Sequence, residues 1–162
     1  MQRASVFIIG MVALLAAATS AWAQGHIKLT SVAEMEKAVF NQEGQKVIQR
    51  IPAARVVPGS EVIFTSHYEN TSGETADKAV ITDPIPEHML YKDGSAQGNG
   101  TRITFSVDNG KSYNIPGKLF VFDAAGRPYP ASPKDYTHIR WTIENPLAPG
   151  AKGSVSFRAI LK

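Results

Sequence analysis

Residues 56–72 read VVPGSEVIFTSHYENTS. A Pro58-Gly59 turn opens the run, and Asn70-Thr71-Ser72-Gly73 closes it with four residues that favour turns. Between them Val62, Phe64 and Tyr68 point one way, and Ile63, Thr65, His67 and Glu69 the other. That is the period of two of a half-buried strand. The stretch predicts a central strand of an all-β sandwich, with the other strands placed around it.

Downstream, Ala79–Asp83 predicts a strand cut off by Pro84-Ile85-Pro86, because neither proline can donate a ladder hydrogen bond. A short strand follows at His88–Tyr91. Thr101–Val107 alternates, with Ile103, Phe105 and Val107 inward and Ser106 outward. Asp108-Asn109-Gly110-Lys111 carries the Asn-Gly signal of a hairpin turn. Lys118–Phe122 is apolar on both faces and is expected to be buried. Asp123–Asp135 holds three prolines and a glycine, which predicts a long, stiff surface loop. His138–Glu144 places Ile139, Trp141 and Ile143 on one face. Pro149-Gly150 then turns the chain into a last strand with Val155, Phe157, Ala159 and Leu161 inward.

Upstream, residues 31–40 fit two readings. Ser31 with Glu34 makes a capping box for a helix, while Ile27, Leu29, Ser31, Ala33 and Met35 fit a strand. We read a strand, because its neighbours are β and one helical turn would need its own packing partner. Gln45–Arg55 follows a turn, and Pro52 predicts an edge position or a bulge.

The first residues read as an export signal. Arg3 gives the positive region, Val6–Ala18 the apolar run, and Ala21-Trp22-Ala23 the small residues of a cleavage site. The expected organisation is a signal peptide at 1–23, an N-terminal strand or hairpin extension at 24–54 packed on the sandwich, and a repeat-type sandwich domain at 55–162. The mature chain from Gln24 would hold 139 residues, enough for one domain. Its net charge falls from +3 to +2 with the loss of Arg3, and no two Lys or Arg residues are adjacent. A scattered surface charge of this kind argues against nucleic acid as a partner. No stable membrane insertion is expected after cleavage. There is no cysteine, so the core alone must hold the fold and no cysteine-linked lipid anchor is expected. The expected location is a bacterial periplasm or the cell exterior.

Three segments in order carry a resemblance: VVPGSEVIFTSHYEN at 56–70, VITDPIPEHMLY at 80–91 followed by Gly94-Ser95, and PLAPGAKGSVSFRAIL at 146–161. Together they resemble the conserved repeat domain of bacterial surface proteins, the domain of unknown function eleven family. That family is similar to immunoglobulin-like sandwiches and often stands in tandem on surface and wall proteins. The resemblance implies an immunoglobulin-like β-sandwich, with Pro58, Gly59, Asn70, Asp83, Pro84, Pro86, Pro149 and Gly150 in turn and strand-ending roles. It transfers a fold rather than an active site. A single short copy differs from the tandem arrays and is too short to serve as a long stalk.

Candidate chemistry is sparse. Ser106-Val107-Asp108-Asn109-Gly110-Lys111-Ser112-Tyr113 looks like the Asp-box hairpin of sialidases and other propellers. In it Asp and Ser side chains bond the turn backbone, and Gly110 takes the special dihedral angle. One copy cannot build a propeller, so Asp108 and Gly110 are read as parts of a hairpin staple. A mature terminus of Gln24-Gly25-His26 would offer an amine, two amides and an imidazole in the square plane that Cu(II) or Ni(II) favours. Coincidence is the preferred reading of that triple. His67, His88 and His138 match no zinc spacing. No nucleophile motif is present, and no catalytic residue or cofactor is expected. The expectation is therefore a non-enzymatic exported envelope protein, an interaction or structural module. Its partner would be an envelope protein or polysaccharide, met through a sheet face, an edge strand or the 123–135 loop with Tyr129 and Tyr136. The alternative is a small-ligand or copper/nickel-binding periplasmic protein.

Overall fold

The computed structural model describes residues 27–162. The stretch read as an export signal, 1–23, and the Gln24-Gly25-His26 triple lie outside them. The strands run β1 (Ile27–Phe40), β2 (Lys46–Pro52), β3 (Glu61–Asn70), β4 (Val80–Pro84), β5 (Met89–Tyr91), β6 (Gln97–Gly98), β7 (Thr101–Ser106), β8 (Phe120–Phe122), β9 (Pro128–Pro130), β10 (His138–Ile143) and β11 (Lys152–Leu161). The main sheet has the order β2-β1-β3-β11-β5, with β6 also on β11. The second sheet is β4-β10-β7, and β8-β9 forms a separate hairpin. All of these pairings are antiparallel.

The two larger sheets pack as an all-β sandwich whose core follows the expected alternation. Ile139, Trp141 and Ile143 of β10 face Val155, Phe157 and Ala159 of β11, and all six are buried. Phe157 stacks on Phe64 at 5.0 Å between ring centroids, and Trp141 lies 6.3 Å from Phe157. Burial of large rings of this kind dominates the stability of such a core.

Four expectations need correction. β3 is not half-buried, because Ile63 and Thr65 on its outer face are also buried. Arg158 and Glu34 flank Ile63 in the neighbouring strands, and their long stems can lie over it with the charges in water. Phe120 and Phe122 of β8 are exposed, with only Leu119 beside them buried. The reason is that β8 pairs only with β9, so no second sheet covers it. The 123–135 stretch is not a plain loop. It supplies β9, a turn that Asp123 ties through the Ala125 and Arg127 amides at 2.9 Å, and a 3-10 turn at Pro133–Asp135. Tyr136 belongs to the core, stacked 4.5 Å from Phe105, and so offers no contact surface.

Residues 27–40 form one strand, in agreement with the strand reading. Pairing with β3 along Ile27–Glu34 supplies the ladder that a helix there would forfeit. β2 is the edge of the main sheet and ends at Pro52, which needs no ladder donor on its outer side.

Candidate interaction surfaces

The turn residues singled out in the sequence gather at the ends of the β3–β11 pair. Ser60 N–H donates to Val57 C=O across Pro58-Gly59, and Ala151 N–H to Ala148 C=O across Pro149-Gly150. Gly59 and Gly150 have φ of 86° and 74°, the left-handed position that a type II turn needs after proline. The Gly59 amide then donates to Leu161 C=O at 2.8 Å, and the Gly150 amide to Asn70 C=O at 2.8 Å. Each turn thus closes the last rung of the strand opposite. Asn70 is fully buried beside the second turn. Its amide nitrogen donates to Glu74 and Leu147 carbonyls at 2.7 and 2.8 Å, and its oxygen accepts from Ser72 N–H and Oγ. These positions staple strands and offer nothing to a ligand.

Asp83 does more than end a strand. Alternation along β4 turns Ile81 and Asp83 inward, and the Asp83 carboxylate accepts from Ser66 Oγ of the opposite sheet at 2.7 Å. Ser66 Oγ also lies 2.8 Å from Ser31 Oγ. The group borders a cleft of about 260 Å³ lined mainly by Val32, Ala33, Phe64, Pro84, Pro86 and Phe157. Burial raises the Asp83 pKa, and the Ser66 hydrogen bond offsets part of that rise. A raised folded value means that ionisation weakens the fold as pH rises through it. Below the unfolded value of about 4 the penalty is absent. Asp83→Asn keeps an acceptor for Ser66 and removes the charge. Its melting temperature is expected to exceed that of the wild type at pH 7 and to converge with it at pH 3. Equal melting temperatures at both pH values would show that the carboxylate is not strained by burial.

The Asp108 turn has the geometry of a staple. Asp108 Oδ1 accepts from Lys111 N–H, Ser112 N–H and Ser106 Oγ at 2.7 to 3.1 Å, and Oδ2 from Ser112 Oγ at 2.6 Å. Ser106 is buried rather than outward, because its hydroxyl also accepts the Gly110 amide at 2.9 Å. The Ser112 hydroxyl, the Ser112 amide and the Ser106 hydroxyl hold the Asp108 carboxyl well below the usual range. Stability from this group is present above the unfolded value of about 4 and is lost as pH falls towards the folded one. Asp108→Asn is therefore expected to lower the melting temperature at pH 7 more than at pH 2. A deficit that does not change with pH would locate the loss in the turn amides alone. Arg140 lies over the Tyr113 ring, 3.5 Å from its centroid, and fixes the far side of this turn.

The histidines divide between two faces. His88 and His138 border one open cleft of about 470 Å³, while His67 lies on the outer face of β3 beside Thr30 and Ser154. Among the described residues no three His, Cys, Asp or Glu side chains gather as a metal site.

Exposed apolar surface is concentrated at two places. The first is the β8–β9 hairpin with Phe120, Phe122 and Tyr129. The second is the β1–β2 hairpin. β1 pairs with β3 only as far as Glu34, and beyond it pairs with β2 alone. Met35–Phe40 and Lys46–Ile51 thus make a two-stranded arm that continues past the start of β3. Five of the eleven large exposed apolar side chains lie on these two strands: Leu29, Val32, Phe40, Val47 and Ile48. Phe40 is 75% exposed, the most of any on the molecule's described surface. An ion-pair network anchors the arm at its root. Arg158 holds Glu36 through both guanidinium arms, at 2.9 and 3.2 Å, and Glu61 at 2.7 Å, while Lys92 holds Glu61 at 2.6 Å. These bonds lower the pKa of Glu36, chiefly through Arg158, and of Glu61, chiefly through Lys92.

Sequence reasoning expected a strand or hairpin extension at 24–54 but missed its projection past β3, the exposed β8 face and the Ser66–Asp83 link. Only the last left a signal, in the shared parity of Ile81 and Asp83. No helix among the described residues is long and apolar enough to cross a membrane. No family model, no curated protein and no solved structure matches the chain.

Proposed function

We propose that this protein is an exported, non-enzymatic interaction module of the cell envelope that engages its partner through the β1–β2 arm. One observation carries the reading: the arm exposes apolar side chains on both faces and ends the main sheet with an open edge. A lone two-stranded hairpin is marginal in water, and a free edge strand is a template for a further strand. The polar groups with the most hydrogen bonds serve the fold instead. Asn70, Ser106 and Asp108 direct their hydrogen bonds to backbone and side chains of the fold itself. The Pro-Gly turns at both ends of β3–β11 and the end of β4 at Asp83-Pro84 support kinship with the conserved repeat domain of bacterial surface proteins. The export signal read at 1–23 supports placement in the envelope.

The test is photo-cross-linking in intact cells, with the reactive residue at Phe40 and, as control, at the exposed Lys118 on another part of the molecule. A partner captured reproducibly from Phe40 and not from Lys118 is the expected result. Equal labelling from both, or none from either, would overturn the reading.

A further inference from the structure

We propose that the partner of the arm is a second copy of this chain, joined edge to edge through β2 in a single antiparallel register centred on Gln49. The inference rests on the reading of the arm as an interaction surface and names what covers it.

The free backbone groups set the parity. Next to the strand pair, Asn41 N–H donates to Gln45 C=O, and Ala53 N–H to Ala33 C=O. Residues at odd positions of β2 therefore direct their amides and carbonyls towards β1. Lys46, Ile48, Arg50 and Pro52 direct theirs to the open side. An antiparallel copy must match even residues with even residues, and a register centred on Val47 or Ile51 would pair only three residues of this seven-residue strand, which leaves centres at Ile48, Gln49 and Arg50. Centred on Arg50, the pairing sets Arg50 opposite its own copy. Centred on Ile48, it sets Lys46 opposite the second copy's Arg50. Like charges directly opposite destabilise a strand pair. Centred on Gln49, Ile48 faces Arg50, Lys46 faces Pro52, and no like charges meet. The absent Pro52 amide leaves one carbonyl of Lys46 unpaired, while the Ile48–Arg50 pairs keep both their bonds.

The same register completes the apolar face. Val47, Gln49 and Ile51 share the sheet face that carries Phe64 and Phe157, as do Met35 and Val39 across in β1. With Gln49 on the two-fold axis, Val47 faces Ile51 of the second copy. A row of Val39, Val47, Ile51 and Met35 then crosses the junction, and the two Gln49 amides meet at its centre. Lys46, Arg50 and Pro52, which guard an edge against indiscriminate pairing, here select one register. The contact is isologous and closes as a dimer, leaving no further β2 edge.

The chain has no cysteine, so single-cysteine variants report proximity without background. In the non-bonded antiparallel pair at Gln49 the Cα atoms stand about 4.5 Å apart, within disulfide reach. The experiment is sedimentation of the purified exported chain from about 1 to 100 µM, a range set by ordinary micromolar affinities, with mild oxidation of Gln49→Cys, Val47→Cys, Ile51→Cys and Lys118→Cys variants. Expected are a wild-type dimer, ready disulfide dimers of the position-49 variant, and a mixed disulfide when the position-47 and position-51 variants are combined. Ile48→Pro removes an outward amide only, and is expected to give a folded monomer by circular dichroism. A monomeric wild type, with position 49 no more reactive than position 118, overturns the second copy. If photo-cross-linking at Phe40 still captures another molecule, the interaction module survives that result; if it captures nothing, both readings fall. Strongest self-coupling at position 48 or 50 overturns the register.

Discussion

Asn70→Asp is expected to cost roughly 3–5 kcal/mol of folding stability at pH 7, a large share of what a domain of this size possesses. The Asn70 nitrogen donates to two carbonyl oxygens in a site with no access to water. A carboxylate there would turn both donors into acceptors and set a buried negative charge against two partial negative charges. Asn70→Ala removes the same bonds without adding the charge, and its expected cost is about 2–3 kcal/mol from the unsatisfied carbonyls. The ranking is the informative part. Urea titrations at pH 7 should place the Asp variant below the Ala variant. The gap should narrow in acid, where a protonated carboxyl regains one donor. An Asp variant as stable as wild type would mean that the amide nitrogen does not point at the two carbonyls.

The second large effect is expected from the smallest addition. A Cβ on Gly98 would stand 2.6 Å from Thr101 Oγ1, 2.8 Å from Trp141 Cδ1 and 3.0 Å from Val155 Cγ1. Trp141 and Val155 are fully buried and have no room to retreat. Gly98→Ala is expected to lose about 1–3 kcal/mol through overpacking, which corresponds to a fall in melting temperature of roughly 3–12 °C. Gly73→Ala is the control, since its Cβ would meet nothing within 4 Å. A melting temperature for Gly98→Ala within a degree of the control would show that the tryptophan ring can move.

Most strands were legible because their residues obey one period. Ile139, Trp141 and Ile143 alternate without interruption, and each is buried where alternation puts it. The Pro-Gly pairs were legible because proline and glycine each restrict or free a single dihedral, so their turns depend little on the rest of the molecule. Lys118–Phe122 misled because an apolar run states what a segment would bury, not whether a sheet exists to bury it. Tyr136 misled in the opposite sense, as a ring in a polar context that long-range packing draws inward against Phe105. A strand or hairpin was expected at 24–54, but its projection past β3 left no signal. Its strands read as ordinary half-buried ones, and only the length of β3 decides that half of β1 has no third strand beside it. Ser66 and Asp83 lie in segments that meet only when the sheets stack.

The place of β11 bears on when this fold can form. Its residues complete the middle of the main sheet, with β3 on one side and β5 and β6 on the other, and Phe157 pairs with Phe64 from 93 positions away. The pair that both Pro-Gly turns close therefore cannot exist until residues 152–161 have been made. Closing so long a loop before any reward from contact is slow, and a β-sandwich of such connections folds in milliseconds to seconds rather than microseconds. Until then β3 has only β1 for company, and the main sheet lacks the strand that joins it to β5 and β6.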